Sequence, residues 1–302
     1  MWKFRESAKP VYMEEIMKRL NKWFYRTSLS LCFLIIAFVA SPKLTAQAVS
    51  NDELIAISKV FDGAYYAAMY PNLAQQANGD QLWLLMHYAH CGINEGRNAS
   101  ATFNATDYMN KNPDLVAVYG DYMPAYAFHY VYAGRLEGRD ATPTVGADVE
   151  AGSTMKLLGV YSTEFDPEAA RGTNIQIAAS HVNGTVVAPG KTFSANKAIG
   201  PRTPENGFVT APVFINKEHA MGIGGGVCQV SSTIYATMKT AGIKATERHP
   251  HSLPVAYLPE GWDATISGND LDLKFKNTYG KNMIVYENTL GSALTAAIYI
   301  EN

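Results

Sequence analysis

The chain has 302 residues, 47% of them hydrophobic and 17% charged, and a formal net charge of −2 at neutral pH. That length and apolar content suffice for one large or two modest packed domains, and the slightly acidic balance excludes a nucleic-acid binder that depends on a basic face. Three cysteines, Cys32, Cys91 and Cys228, are too few for the disulfide frameworks that hold small exported domains together.

Residues 1–48 read as a secretory signal peptide. Lys18, Arg19, Lys22 and Arg26 make a basic head, Leu29 to Ala40 an apolar core, and Ala46-Gln47-Ala48 a small-x-small exit, with cleavage expected after Ala48. The apolar run is shorter than the ~20 residues a spanning helix needs; an uncleaved anchor is the alternative reading of the same flanks. Met13 or Met17 would serve as well as Met1 for the start. The expectation is an exported protein, secreted or held at the cell surface, that meets the membrane only transiently through this segment. Its removal takes away eight basic and three acidic side chains and leaves a net charge of −7. Cys32 leaves with it. Cys91 and Cys228 lie in segments of different character, so no bridge between them is expected and Cys228 reads as a free thiol.

Residues His87 to Arg97 and His129 to Arg139 align at an offset of 42, and the offset holds for Tyr66 and Tyr108, Pro71 and Pro113, and Leu73 and Leu115. Two copies of one unit thus fill residues 58–142, and a period of this size marks stacked supersecondary units. Each copy is expected to form two short helices, one running into the Pro-x-Leu turn and one carrying the His-Tyr pair up to a glycine stop. His87 and His129 read as packing and hydrogen-bonding residues rather than metal ligands, and Glu95–Arg97 and Glu137–Arg139 as turn-stabilising pairs. The unit resembles a short repeat of bacterial surface proteins, and this half reads as a helical attachment or spacing module. Two copies are fewer than the ~3 a free-standing solenoid needs, so they must lean on each other or on the second domain. The small and polar residues 141–154 form a linker.

Beyond the linker, Leu157–Phe165 reads as a strand and Thr173–Val182 as a helix, with Ile175, Ala178, Ala179 and Val182 on one face. Asn183-Gly184 is a turn into an extended Val186-Val187. Ser232–Ala241 reads as a helix closed by Gly242, with Ser231 or Ser232 as its cap. Strands are predicted over Ala264–Ser267, Leu271–Lys276, Met283–Tyr286 and Leu294–Ile300. The fold class is therefore α+β: a short helical repeat module, then a strand-rich α+β domain over residues 155–302.

The chemistry centres on Cys228, which comes after Gly224, Gly225 and Gly226 just ahead of the predicted helix. A cysteine at a helix N-terminus is favoured as the thiolate. Glycines let the backbone approach a substrate and aim N–H groups at a developing oxyanion. A thiolate nucleophile needs an imidazole, and Arg248-His249-Pro250-His251 supplies two: His251 is the favoured general base, His249 the second, with Asp263 to orient the ring. Arg202 or Arg248 would hold a substrate carboxylate. Gly224, Gly225, Gly226, Gln229, Ser231 and Ser232 complete the candidate substrate-binding set. A buried, inert cysteine behind a glycine turn is the competing reading. No Cys-x-x-Cys or His-Glu-x-x-His spacing occurs, so neither a metal nor a cofactor is expected. Asp270 and Asp272 read as polar residues at a strand entrance, and His181 and His219 as isolated and solvent-facing.

Pro189 to Ser194, Ile199 to Arg202, Gly224 to Thr233, Arg248 to Ser252 and Gly261 to Thr265 resemble, in that order, the successive motifs of the VanW family across residues 155–288. Thr237 to Thr240 are more polar than the apolar stretch usual there. The family is associated with some glycopeptide-resistance gene clusters, and some members are understood to act as L,D-transpeptidases through the motif cysteine. The resemblance implies a bacterial cell-envelope protein that uses Cys228 for acyl transfer on peptidoglycan stem peptides or another cell-wall polymer. The alternative is a non-catalytic envelope-binding module linked to glycopeptide resistance or cell-wall assembly.

Overall fold

The computed structural model describes residues 49–302 except 150, 153, 216, 217 and 269, with side chains undescribed throughout 214–219. The signal peptide expected over residues 1–48 lies outside the described residues. No described helix is long and apolar enough to cross a membrane.

Ser50 starts α1 (Asn51–Ser58) with a capping box: its hydroxyl accepts from Glu53 N while the Glu53 carboxylate accepts from Ser50 N. Helices α2 (Gly63–Met69), α3 (Pro71–Ala77) and α4 (Gln81–His87) come next, and α4 runs into a π-helical turn, Tyr88–Gly92. Helices α5 (Ala105–Lys111), α6 (Pro113–Tyr119) and α7 (Met123–His129), with the π turn Tyr130–Gly134, each begin 42 residues after a counterpart in the first set. Each set thus holds three helices instead of the two expected. The extra break is at the proline. Tyr70 and Asn112, driven out of the helical region by the following ring, sit at φ −130° with ψ 72° and 69°. Pro71 and Pro113 then open a new helix at its first position, where a missing N–H costs nothing. Inside each set a histidine meets a buried tyrosine: His87 Nδ1 lies 3.0 Å from Tyr66 Oη, and His129 Nδ1 2.9 Å from Tyr108 Oη. Arg97 pairs with Glu95, and Arg139 with Glu137 and Asp114.

After residues 141–154 the architecture changes from helices to strands. Strands β1 (Met155–Glu164), β2 (Thr185–Val187), β8 (Met283–Leu290) and β9 (Ala293–Glu301) form an antiparallel sheet in the order β1-β9-β8-β2. Helices α8 (Ala170–Val182) and α10 (Val227–Thr240) lie on one face. Strand alternation sorts the core into two layers. Met283, Val285, Leu294, Ala296 and Ile298 join Ile175, Val182, Val230 and Ile234 on the α8/α10 side. Ile284, Tyr286, Ala297 and Tyr299, with Val160, join Leu54, Ile57, Leu82 and Tyr126 on the side of the helical module. β8 and β9 are covered on both faces, which is why their sequences read as continuous apolar runs.

Hydrophobic packing therefore runs across the 141–154 segment, and polar ties reinforce it. Asn51 clamps the edge strand β1 by donating to Ser162 O at 2.9 Å and accepting from Ser162 N at 2.7 Å, which also blunts that edge. At the other side of the sheet, Asp80 Oδ2 accepts from Asn183 at 2.8 Å and Asn288 at 2.7 Å.

A smaller sheet, β3-β7-β6, pairs the central β7 (Lys274–Lys276) with β3 (Thr192–Ser194) on one side and β6 (Ala245–Glu247) on the other, and stacks Phe193 on Phe275 at 5.0 Å. Short helix α9 (Ala195–Ile199) continues directly from β3. Strands β4 (Thr210–Ile215) and β5 (Glu218–Ile223) form a separate hairpin that the sequence does not predict. Pro212 argues against a strand in a sheet interior but is tolerated in a two-stranded ribbon. The strand predicted over Ala264–Ser267 is reduced to single bridges at Thr265 and Ser267.

A fragment of residues 150–302 uncovers Tyr286, Tyr299, Ile284 and Ala297. It should unfold at a lower temperature than residues 49–302 and bind an apolar dye, and an equal melting temperature would show that this face tolerates water. Separately, Glu287 on β8 is 0% exposed and neither carboxyl oxygen has a hydrogen-bond partner among the described residues. Burial holds its pKa well above the usual carboxylate range. With a folded pKa above the unfolded value of about 4.3, its contribution is complete below that value and is lost as pH rises through the folded pKa. Glu287→Gln should therefore raise resistance to urea near neutral pH, with the gain shrinking towards about pH 4; a pH-independent effect would contradict the buried acid.

Candidate functional site

The nucleophile candidate is placed by glycines. β5 ends at Ile223, and Gly224, Gly225 and Gly226 turn the chain into α10. Gly226 has φ 105° and is the residue before the first helical position, with no side-chain cap. A Cβ on Gly225 would lie 2.5 Å from the Pro212 carbonyl oxygen, so the turn packs directly on the β4 backbone. The helix thus starts at Val227, five residues before the predicted start at Ser232. Cys228 is its second residue, in the first turn, between Val227 N, which donates to Gly224 O at 3.2 Å, and Gln229 N, which donates to Gly226 O at 2.9 Å. Gly224 N is taken by Val209 O at 3.1 Å, so it is not available as an oxyanion donor.

Ser231 and Ser232, expected as caps and substrate contacts, are buried inside the helix. Ser231 Oγ donates to Ala264 O at 2.7 Å, and Ser232 Oγ accepts from Ala264 N at 3.0 Å. Gln229 also faces inward: its amide donates to Thr163 Oγ1 at 3.1 Å and Glu164 O at 2.8 Å, and it accepts from Arg171 at 3.1 Å. A cap is unnecessary because the left-handed glycine makes the sharp entry, and the hydroxyls tie α10 to the 263–267 segment instead. The polar Thr237 and Thr240 are likewise satisfied, donating to Thr233 O, Ala296 O, Val160 O and Thr237 O.

Asp263, 7% exposed, assembles the rest. Its Oδ2 accepts from His251 N at 2.6 Å and meets His251 Nδ1 at 2.7 Å; Oδ1 accepts from Arg248 at 3.0 Å, and its carbonyl from Arg248 Nε at 2.8 Å. With Nδ1 engaged by Asp263, the ring also lies near enough to Cys228 for thiolate and imidazolium to stabilise each other. Cys228 Sγ also lies 3.3 Å from Ile266 O, an acceptor for the neutral thiol. Cys228 as a residue is half-buried and packs against the α8/α10 core. The structure therefore brings together Cys228, His251 and Asp263. His249 is turned away, with Nε2 3.1 Å from Glu247 Oε1, because Pro250 extends the chain between the two histidines.

Charges within the cluster reinforce one another. Burial pushes the Cys228 thiol up, but the neighbouring His251 imidazolium and the charge of Arg202 outweigh it, leaving the thiol below its ordinary value. Burial pushes the His251 imidazole down, but the neighbouring Cys228 thiolate and the bond to Asp263 leave it above the ordinary value. Burial likewise opposes the Asp263 carboxylate, and the hydrogen bonds from His251 hold it below the usual range. The arrangement favours a thiolate–imidazolium pair.

The two arginines separate. Arg248 is committed to Asp263 and lies over the Tyr235 ring at 5.1 Å, so it positions the carboxylate rather than awaiting a ligand. Arg202 lies on the other flank, against the Gly224 turn. Asp272, expected at a strand entrance, is 5% exposed and accepts from Asn196 N at 2.9 Å and Ser194 Oγ at 2.5 Å, fixing the start of α9; Asp270 is exposed. His181 is exposed but not isolated, with Nδ1 2.8 Å from Ile199 O; the His219 side chain lies outside the described residues. Tyr257 joins the site without any signal in the sequence: it sits in the loop after His251, near enough to Cys228 and Asp263 for their charges to act on it, and burial keeps its phenol protonated. Its loop has no periodicity that could mark it. Among the described residues no cluster of three or more His, Cys, Asp or Glu is placed to hold a metal ion.

Alkylation of Cys228 in the folded chain should titrate below the ordinary thiol value of about 8.5. Asp263→Asn weakens the imidazolium and should move that midpoint upward; a wild-type midpoint at or above the ordinary value would contradict the ion pair.

Residues 170–299 match the family described as VanW like protein. The chain is 36% identical over 143 residues to the uncharacterized protein YoaR of Bacillus subtilis (strain 168), a match covering 47% of this chain and 47% of that protein. It is 29% identical over 111 residues to the vancomycin B-type resistance protein VanW of Enterococcus faecalis (strain ATCC 700802 / V583), covering 34% of this chain and 40% of that protein. The chain thus spans under half the length of these curated relatives. No solved structure matches it. Cys228, His251 and Asp263 all fall within residues 170–299, the part of the chain that matches the VanW like family.

Proposed function

We propose that this chain is an exported cell-envelope protein whose VanW-like domain performs cysteine-dependent acyl transfer on peptidoglycan stem peptides. The observation that carries the reading is the Asp263–His251–Cys228 series: a carboxylate 2.7 Å from one imidazole nitrogen, and a thiol near enough to that imidazole for each to stabilise the other's charge. That is the nucleophile, base and orienter arrangement of acyl transfer.

In this reading the resting pair is thiolate and imidazolium. Cys228 Sγ attacks the carbonyl carbon before the terminal D-amino acid, forming the C–S bond as the carbonyl electrons move to oxygen. The Cys228 N–H, at the second helical position, stabilises that oxyanion. The C–N bond then breaks and His251 gives its proton to the leaving amine. An amine from a neighbouring stem attacks the thioester, passes a proton to His251 and expels the thiolate. Asp263 keeps the ring oriented and its charge matched throughout. The two helical sets at residues 58–142 are read as copies of one attachment or spacing unit, and similarity to a vancomycin B-type resistance protein fits a role at the cell wall.

A second reading is a non-catalytic envelope-binding module; the close packing around Cys228 and its contact with Ile266 O favour it. Product analysis on purified stem peptides separates the two. Cys228→Ala should abolish cross-linking or exchange, His251→Ala should slow it by roughly 10²–10⁴-fold, and His249→Ala should do little. A wild-type chain that yields no cross-linked or exchanged product would leave the binding module, and a Cys228→Ala chain with full activity would remove Cys228 as the nucleophile.

A further inference from the structure

Arg202 differs from Arg248 in having no carboxylate paired to it, although the charges of Asp272 and Cys228 reach it. Its Nη2 donates to the neutral Asn196 Oδ1 at 2.6 Å, and among the described residues it makes no ion pair. Asn196 is itself fixed, by Asp272 Oδ1 at 2.9 Å and Leu271 O at 2.8 Å. Asp272, the nearby acid, accepts instead from Ser194 Oγ and backbone N–H groups. The arginine stem crosses the glycine turn: a Cβ on Gly224 would lie 3.1 Å from Arg202 Cβ and 3.2 Å from Cγ. Gly224 is four residues before the nucleophile, and the guanidinium is close enough for its charge and that of Cys228 to act on each other. A half-buried guanidinium that is aimed but not neutralised is poised for an anion, and its planar fork matches a carboxylate.

We propose that Arg202 reads the free α-carboxylate of the residue expelled by Cys228, so that the domain acts only at the last peptide bond of a chain. This rests on the acyl-transfer reading and adds its leaving-group specificity. The carboxylate sits on the carbon next to the leaving nitrogen, so the reader must lie near the nucleophile, and the Arg202 stem packs on the glycine turn that leads into Cys228. A peptide ending in an amide offers the fork no anion.

The test compares two reagents at Cys228 in the full chain, read by peptide mass spectrometry: iodoacetate, which carries a carboxylate beside its reactive carbon, and iodoacetamide, its neutral analogue. A change in thiol acidity moves both rates together, so their ratio isolates carboxylate recognition. The iodoacetate-to-iodoacetamide ratio should be roughly 10–100-fold higher in the folded chain than in the same chain in urea. Arg202→Gln should return it to the unfolded value, and Arg202→Lys should keep part of it. A folded wild-type ratio no higher than the unfolded one overturns the proposal without any variant, as does a ratio unmoved by Arg202→Gln. Stem-peptide donors ending in carboxylate or amide separate the two readings. Turnover of both donors alike removes the carboxylate reader and leaves acyl transfer. Turnover of neither, with an Arg202-dependent reagent ratio, removes acyl transfer and leaves the carboxylate site.

Discussion

One buried carboxylate organises this molecule's chemistry. Asp263 takes hydrogen bonds from the backbone and ring of His251 and from the guanidinium of Arg248. Those contacts draw the 248–251 segment onto the 263–267 segment, where Thr265 N donates to His249 O at 2.7 Å. Ala264, the next residue, is fastened to α10 through Ser231 and Ser232. The base, its orienter and the nucleophile therefore share one short chain of bonds. A buried charge is costly unless fully paired, and Asp263 is paired on both oxygens, which gives the segment a single stable arrangement.

The nucleophile side depends on a different constraint, steric rather than electrostatic. Gly225 lies so close to the β4 backbone that no larger residue fits, and Gly226 adopts a φ open to glycine alone at low cost. Together they bend the chain by the amount that puts Cys228 in the first helical turn rather than ahead of it. The positive end of the helix dipole then lies at the sulfur.

Behind the site, the sheet is shared. Its α8/α10 face carries the helix that bears Cys228, and its other face is covered by the helical module. Two short helical sets are too few to bury their own core, and the apolar sheet face supplies what is lacking. The site and the module are thus held on opposite sides of β8 and β9, separated by one layer.

The sequence by itself determined the α+β class, the positions of α8, β8 and β9, the 42-residue offset, and the candidacy of Cys228, His251 and Asp263. These rest on periodicity, turn residues and side-chain chemistry, all of which are local. It also left His249 and His251, and Arg202 and Arg248, as open pairs, because spacing along a chain carries no direction. Tertiary structure decided between them: Pro250 turns His249 towards Glu247, and Asp263 takes Arg248 while nothing acidic among the described residues takes Arg202. It also moved the start of α10 from Ser232 to Val227, since the contacts of Ser231 and Ser232 with Ala264 overrode their preference for a cap. Asn196 and Asp272, 76 residues apart, meet only because β3 pairs with β7. Pairings of that range depend on which surfaces are buried together, which the fold sets and a local pattern does not contain.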